Sequence, residues 1–296
     1  MNAPLNRLAP VVLILCNCIS VSVAGQESYE GQYPAESTTL FMWTSAAEPI
    51  GGPPGWDEPL ASDRPDFTEA SCTVGRGVCQ LEMGYTYFND SQGIDQFNAH
   101  SFPETLLRAG ALAEWLEFRV GWNYAHERLN SGGLIDTASG SEDLYLGLKL
   151  GLTLQQGILP EMALMPQMTV PLGGPFSTDR VLPGVNWLYG WEINDFLTTA
   201  GSTQANLSLD PITGDEYVEF AQSWTIGYSL TEKIGAYTEW FVLSPAGADF
   251  VATEHYLDGG FTYSLTNDIQ FDIRVGKGVS AGAIDYFAGT GLVVRF

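Results

Sequence analysis

Leu144-Tyr145-Leu146-Gly147-Leu148-Lys149-Leu150-Gly151-Leu152-Thr153-Leu154 puts a leucine at every even position. Successive side chains of an extended chain point to opposite faces, so this stretch reads as a strand with one apolar face and one mixed face. The alternation continues outward from it. Trp187, Tyr189, Trp191 and Ile193 alternate with Asn186, Leu188, Gly190 and Glu192. Val218, Phe220, Trp224, Ile226 and Tyr228 alternate with Glu219, Ala221, Ser223, Thr225 and Gly227. Ile269, Phe271, Ile273 and Val275 alternate with Gln270, Asp272, Arg274 and Gly276. Twelve segments of this kind follow one another, near 78–89, 102–112, 115–127, 142–154, 160–171, 184–194, 197–209, 217–230, 233–244, 253–265, 269–277 and 284–296. Most exceed the usual globular strand of ~5–6 residues and match the ~9–11 that a tilted strand needs to cross a bilayer.

The connections alternate too. Short turns are expected at 113–114, 155–159, 194–196, 231–232 and 266–268, and longer loops at 90–101, 128–141, 171–183, 210–216, 244–252 and 278–283. Short periplasmic turns and long external loops are the habit of outer-membrane barrels. An even strand count leaves both chain ends on one side. The expected fold is therefore all-β, a transmembrane antiparallel up-and-down barrel of about 12 strands, preceded by an irregular N-terminal segment. Lipid is expected to cover the apolar face, with Tyr87, Trp115, Tyr124, Trp187, Tyr228, Tyr256, Tyr263 and Tyr286 forming interfacial girdles. The last strand ends on Phe296, a terminal aromatic of the sort that marks outer-membrane barrels for the barrel-assembly machinery.

Composition agrees. The chain has 296 residues, 45% of them hydrophobic and only 16% charged, with 35 acidic against 12 basic side chains. A formal charge of −23 excludes a nucleic-acid partner, because polyphosphate repels it. Residues 1–24 read as a secretory signal: one charge, Arg7, precedes an apolar run that ends in Ser22-Val23-Ala24. Residues 25–66 carry Pro34, Pro49, Pro53, Pro54, Pro59 and Pro65 and read as an irregular leader, with the barrel over 67–296. Cleavage removes Cys16 and Cys18 and leaves Cys72 and Cys79. A two-residue turn at Gly75-Arg76 would oppose them across a hairpin, so a disulfide is expected in an exported chain. Three isolated histidines, His100, His126 and His255, have no metal-ligand spacing, and neither a cofactor nor a metal is expected.

The stretch Ser62-Asp63-Arg64-Pro65-Asp66-Phe67-Thr68-Glu69-Ala70, then Val74-Gly75-Arg76-Gly77 and Gln80-Leu81-Glu82-Met83-Gly84-Tyr85-Thr86-Tyr87, resembles the family named for the MetA pathway of phenol degradation. Phe102-Pro103-Glu104-Thr105-Leu106-Leu107-Arg108-Ala109-Gly110 and Leu116-Glu117-Phe118-Arg119-Val120-Gly121 resemble its second and third strands. The resemblance spans roughly residues 62–296 and implies an outer-membrane barrel that passes small solutes, aromatic or hydrophobic ones among them.

Strand parity assigns an inward set: Glu82, Arg108, Glu117, Arg119, Asp143, Lys149, Glu161, Glu192, Glu219, Glu239, Asp258, Asp272 and Arg274. Charges in a low-dielectric lumen must pair or stay hydrated. Arg108 is expected to pair with Glu82 or Glu117. The set either braces the barrel or forms a charged constriction. With acids in excess, a constriction would favour cations or neutral solutes. The functional expectation is a porin-like channel in the outer membrane, not an enzyme. A non-transporting scaffold or adhesion barrel and an outer-membrane hydrolase are the alternatives.

Overall fold

The computed structural model describes residues 38–296; the expected signal segment and the start of the expected leader lie outside the described residues. Twelve strands follow in order: β1 Cys79–Gln92, β2 Asp95–Gly110, β3 Leu116–Ser131, β4 in two segments, Leu134–Ser141 and Leu144–Thr153, β5 Glu161–Val170, β6 Leu182–Asn194, β7 Leu197–Leu209, β8 Glu216–Ser229, β9 Ile234–Ala246, β10 Glu254–Thr266, β11 Ile269–Gly278 and β12 Tyr286–Arg295. Each pairs antiparallel with its sequence neighbour, and β12 pairs with β1 from Tyr286↔Asn89 to Arg295↔Gln80, so the sheet closes. A barrel has no free edge to satisfy.

The polarity is inside out. Leu148 is 36% exposed while its neighbour Lys149 is 0% exposed. Trp187 is 45% exposed beside Asn186 at 1%, and Ile273 is 57% exposed beside Asp272 at 2%. In a barrel immersed in lipid, hydrocarbon replaces water on the outer face, and that burial favours the greasy residues there.

Two expected loops are strand. At 90–101 the chain runs straight through a tight turn at Gly93-Ile94, and at 128–141 through Gly132-Gly133. Gly132 and Gly133 have φ of 58° and 95°, as a type I′ hairpin turn requires. Polar residues suggested loops there, but the β1–β2 and β3–β4 hairpins extend beyond the rest of the wall. The segment Leu134–Ser141 accordingly pairs with β3 and not with β5. The remaining connections at that end are long, and those at the other end, at 111–115, 154–160, 195–196, 230–233 and 267–268, are short turns. Tyr256, expected on the girdle, points inward instead and is 5% exposed.

The expected Cys72–Cys79 disulfide is absent. Residues 72–78 do not form the flat hairpin that would oppose the two residues. The Cys72 carbonyl accepts from Arg108 inside the barrel, whereas Cys79 begins β1 and sits on the opposite parity from the inward Gln80. Burial pushes the Cys72 thiol up to about 12, so it is inert as a nucleophile.

Candidate functional site: a lumen plugged by its own leader

Residues 38–78 have no regular strand in the barrel sheet; Pro49–Ile50 pairs with Gln155–Gln156 near the turn end. The chain is anchored at that end by Leu60 N–H on the Asn267 carbonyl. Arg295 also donates to the Gly55 and Glu58 carbonyls there. It then rises into the lumen over residues 61–71 and returns to start β1.

The deepest charges meet Asp63. Arg108 lies on β2, Glu117 and Arg119 on β3, Lys149 on β4 and Glu82 on β1, all facing inward. Register sets Arg108 opposite Arg119 and Glu117 opposite Lys149. The Asp63 carboxylate takes Arg119 at 2.5 Å, Lys149 at 3.0 Å and Arg108 at 3.3 Å. Arg108 also holds Glu117 at 2.9 Å and Glu82 at 3.1 Å, and Arg119 reaches Glu69 at 2.6 Å. The Arg108–Glu82 and Arg108–Glu117 pairs expected from sequence are thus both made. Burial opposes charge on Asp63, but Arg108, Arg119 and Lys149 hold its carboxyl far below the ordinary range.

Arg64 works the other way, as a leader base between wall acids. It holds Glu104 at 2.9 Å and Asp272 at 3.2 Å, and donates to the Thr290 carbonyl. Gly84 of β1 and Gly291 of β12 are register partners beneath it, and a Cβ on either would overlap its guanidinium. Glu104 reaches this site because the β2 register shifts between Phe102 and Thr105. The sequence reading missed it; Pro103 inside a strand marks such a bulge, and counting back from Arg108 would have found it. Arg274 donates to the Pro65 carbonyl and to Thr86 Oγ1, each at 3.0 Å.

Phe67 and Thr68 dock on β9 and β8. Glu239 accepts from Phe67 N–H at 2.6 Å, Thr68 N–H at 2.8 Å and Thr68 Oγ1 at 2.5 Å. Thr68 also meets Ser223 at 2.6 Å. The Phe67 ring stacks on Phe241 at 4.5 Å and 5°, and Phe241 stacks on Tyr256 at 4.7 Å. Phe287 closes the cluster. Asp66 is pushed up to about 7 by burial and by the Asp258 and Asp63 carboxylates.

The other inward candidates lie apart. Glu161 accepts from Gly52 N–H and Ser71 Oγ near the turn end. Asp143, where β4 is interrupted, accepts from Leu172 N–H and from Thr178 N–H and Oγ1, and clamps the β5–β6 loop. Glu219 contacts Tyr217, and Glu192 is exposed at the turn end. Phe296 exchanges backbone hydrogen bonds with Cys79 and extends the β12–β1 seam. All three histidines face outward; His100 meets Tyr85, His126 meets Ser139, and His255 stacks on Trp240. Among the described residues no group of three or more His, Cys, Asp or Glu could hold a metal.

A closed twelve-stranded barrel, apolar outside and polar within, with short turns at one end, is an outer-membrane β-barrel. Among the solved structures that share the fold are two barrels. One is the COG4313 outer membrane channel from Pseudomonas putida F1, 13% identical, covering 79% of this chain and 99% of that chain with a TM-score of 0.58. The other is the translocator domain of autotransporter NalP from Neisseria meningitidis, 12% identical, covering 75% and 89% with a TM-score of 0.51. No curated protein matches the sequence. The chain belongs to the family described as "Putative MetA-pathway of phenol degradation", whose model matches residues 62–296. The matched region therefore includes the plug as well as the barrel.

Proposed function

We propose that this barrel is a gated channel for small aromatic or hydrophobic solutes across the outer membrane. The observation that carries this reading is the plug. Asp63 bridges Arg108, Arg119 and Lys149 at the periplasmic end, so the lumen's polar lining is occupied by a segment whose covalent link to the wall is through β1. Ion pairs and hydrogen bonds hold it, and these can be exchanged for water or solute. Beyond the plug the inward carboxylates Asp90, Glu127, Glu142 and Glu219 face the external end, which favours neutral or cationic solutes. Export would remove residues 1–24, and Phe296 would present the strand that the assembly machinery grips. The family name and the channel from Pseudomonas putida support a small-molecule cargo.

Reconstitution tests the reading. Liposomes carrying the protein should swell in neutral monoaromatic solutes, and faster with Asp63→Asn, which removes the charge that three wall bases share. No flux of any solute through either protein would leave a non-transporting scaffold as the better account.

A further inference from the structure

Phe67 is seated as a ligand would be. Its ring lies flat on Phe241 at 4.5 Å, with Tyr256 stacked beyond and Phe287 at the edge. Its backbone N–H donates to Glu239 at 2.6 Å. The atoms from that ring through Cβ and Cα to nitrogen are the skeleton of 2-phenylethylamine. The acceptors for a cationic head are built into the same wall. Glu239 and Asp258 are register partners across β9 and β10. Tyr237 fixes one Asp258 oxygen at 2.7 Å, while Oδ1, on a residue 9% exposed, has no hydrogen-bond partner among the described residues. On β9, Tyr237, Glu239 and Phe241 share one inward face, so ring and carboxylate alternate at the spacing that an aryl group and its amine need. When the plug withdraws, Glu239 loses three donors at once, and water or a solute with a donating head must replace them.

Resting on the channel reading, we propose that Phe67 occupies a site for aromatic amines. In this site the solute's ring replaces Phe67 on Phe241, and its ammonium replaces the Phe67 and Thr68 N–H groups on Glu239 and reaches Asp258. The proposal narrows the cargo from small aromatics to those that carry a hydrogen-bond-donating cation near the ring. It also makes the solute the competitor of the plug. Aromatic acids are the disfavoured class, because their carboxylate would face Glu239 and Asp258.

Two measurements test it. In the unmutated protein in detergent, a glutamate-specific endoprotease should cut after Glu69 faster when 2-phenylethylamine is present and no faster with phenylacetate, because only the amine displaces the plug. Calorimetry on Phe67→Ala, its fold checked by heat-modifiable gel mobility, should give 2-phenylethylamine binding about tenfold tighter than in the unmutated protein. Adding Glu239→Gln should abolish that gain. Equal effects of amine and acid, or a gain that survives Glu239→Gln, would overturn the amine site. Amine binding without solute flux in liposomes would instead overturn the channel reading and leave the site standing.

Discussion

Asp63 is a single carboxylate shared by three buried bases, so losing its charge should be felt at all of them. Asp63→Asn should destabilise the docked plug by about 3–5 kcal/mol, the usual cost of breaking a buried ion pair. Faster cleavage after Glu69 by a glutamate-specific endoprotease, with unchanged barrel mobility on gels, would report it. Asp66 has the opposite sign. Its carboxyl sits at about 7 in the docked plug against an ordinary 3.8, with Asp258, Glu239 and Asp63 as acidic neighbours, Arg274 nearby and the Thr225 hydroxyl as a donor. A group raised on docking favours the docked state at low pH, and that support fades as pH climbs from about 4 through about 7. Asp63, held low, keeps its support across this window and loses it only in stronger acid. Conductance should therefore rise between mildly acidic and neutral pH, and Asp66→Asn should flatten the rise. A pH-independent current in the unmutated channel would count against plug control.

At the scale of elements, the strands were legible because lipid imposes a strict rule on one face. Leu144 to Leu154 and Phe271 to Val275 state that rule without exception. The hairpin tips were not legible, because beyond the membrane both faces meet water and the alternation lapses. Turn chemistry still fixes them. Gly132→Val, at φ 58°, should cost ~1 kcal/mol or more and loosen the β3–β4 extension, visible as faster amide exchange over 128–141. The site was half legible for a related reason. Parity placed Arg108, Glu117, Arg119 and Lys149 on one face, but their main partners, Asp63 and Glu69, come from a segment with no periodicity to read. The cysteines misled because Gly75-Arg76 looks like a hairpin tip, while the chain there is passing from the inside of the wall into it.

At the scale of the molecule, plug and barrel are complementary in charge and in shape. Asp63 and Glu69 meet wall bases, Arg64 meets wall acids, and Gly84 and Gly291 leave the hollow that Arg64 fills. Gly84→Val or Gly291→Val should expel Arg64 while leaving the outer wall intact. Liposome flux should rise and thermal mobility on gels should stay unchanged; a fall in both would show that the hollow serves the wall instead.

The plug joins β1 at the end where the turns are short, and β1 is also half of the seam with β12. The segment can therefore be drawn into a cylinder that is already sealed, from the same side on which the chain lies. No loop has to pass through a ring, so the wall can close before the stopper enters. A chain that starts just before β1 should still close, and should do so as a permanently open conduit.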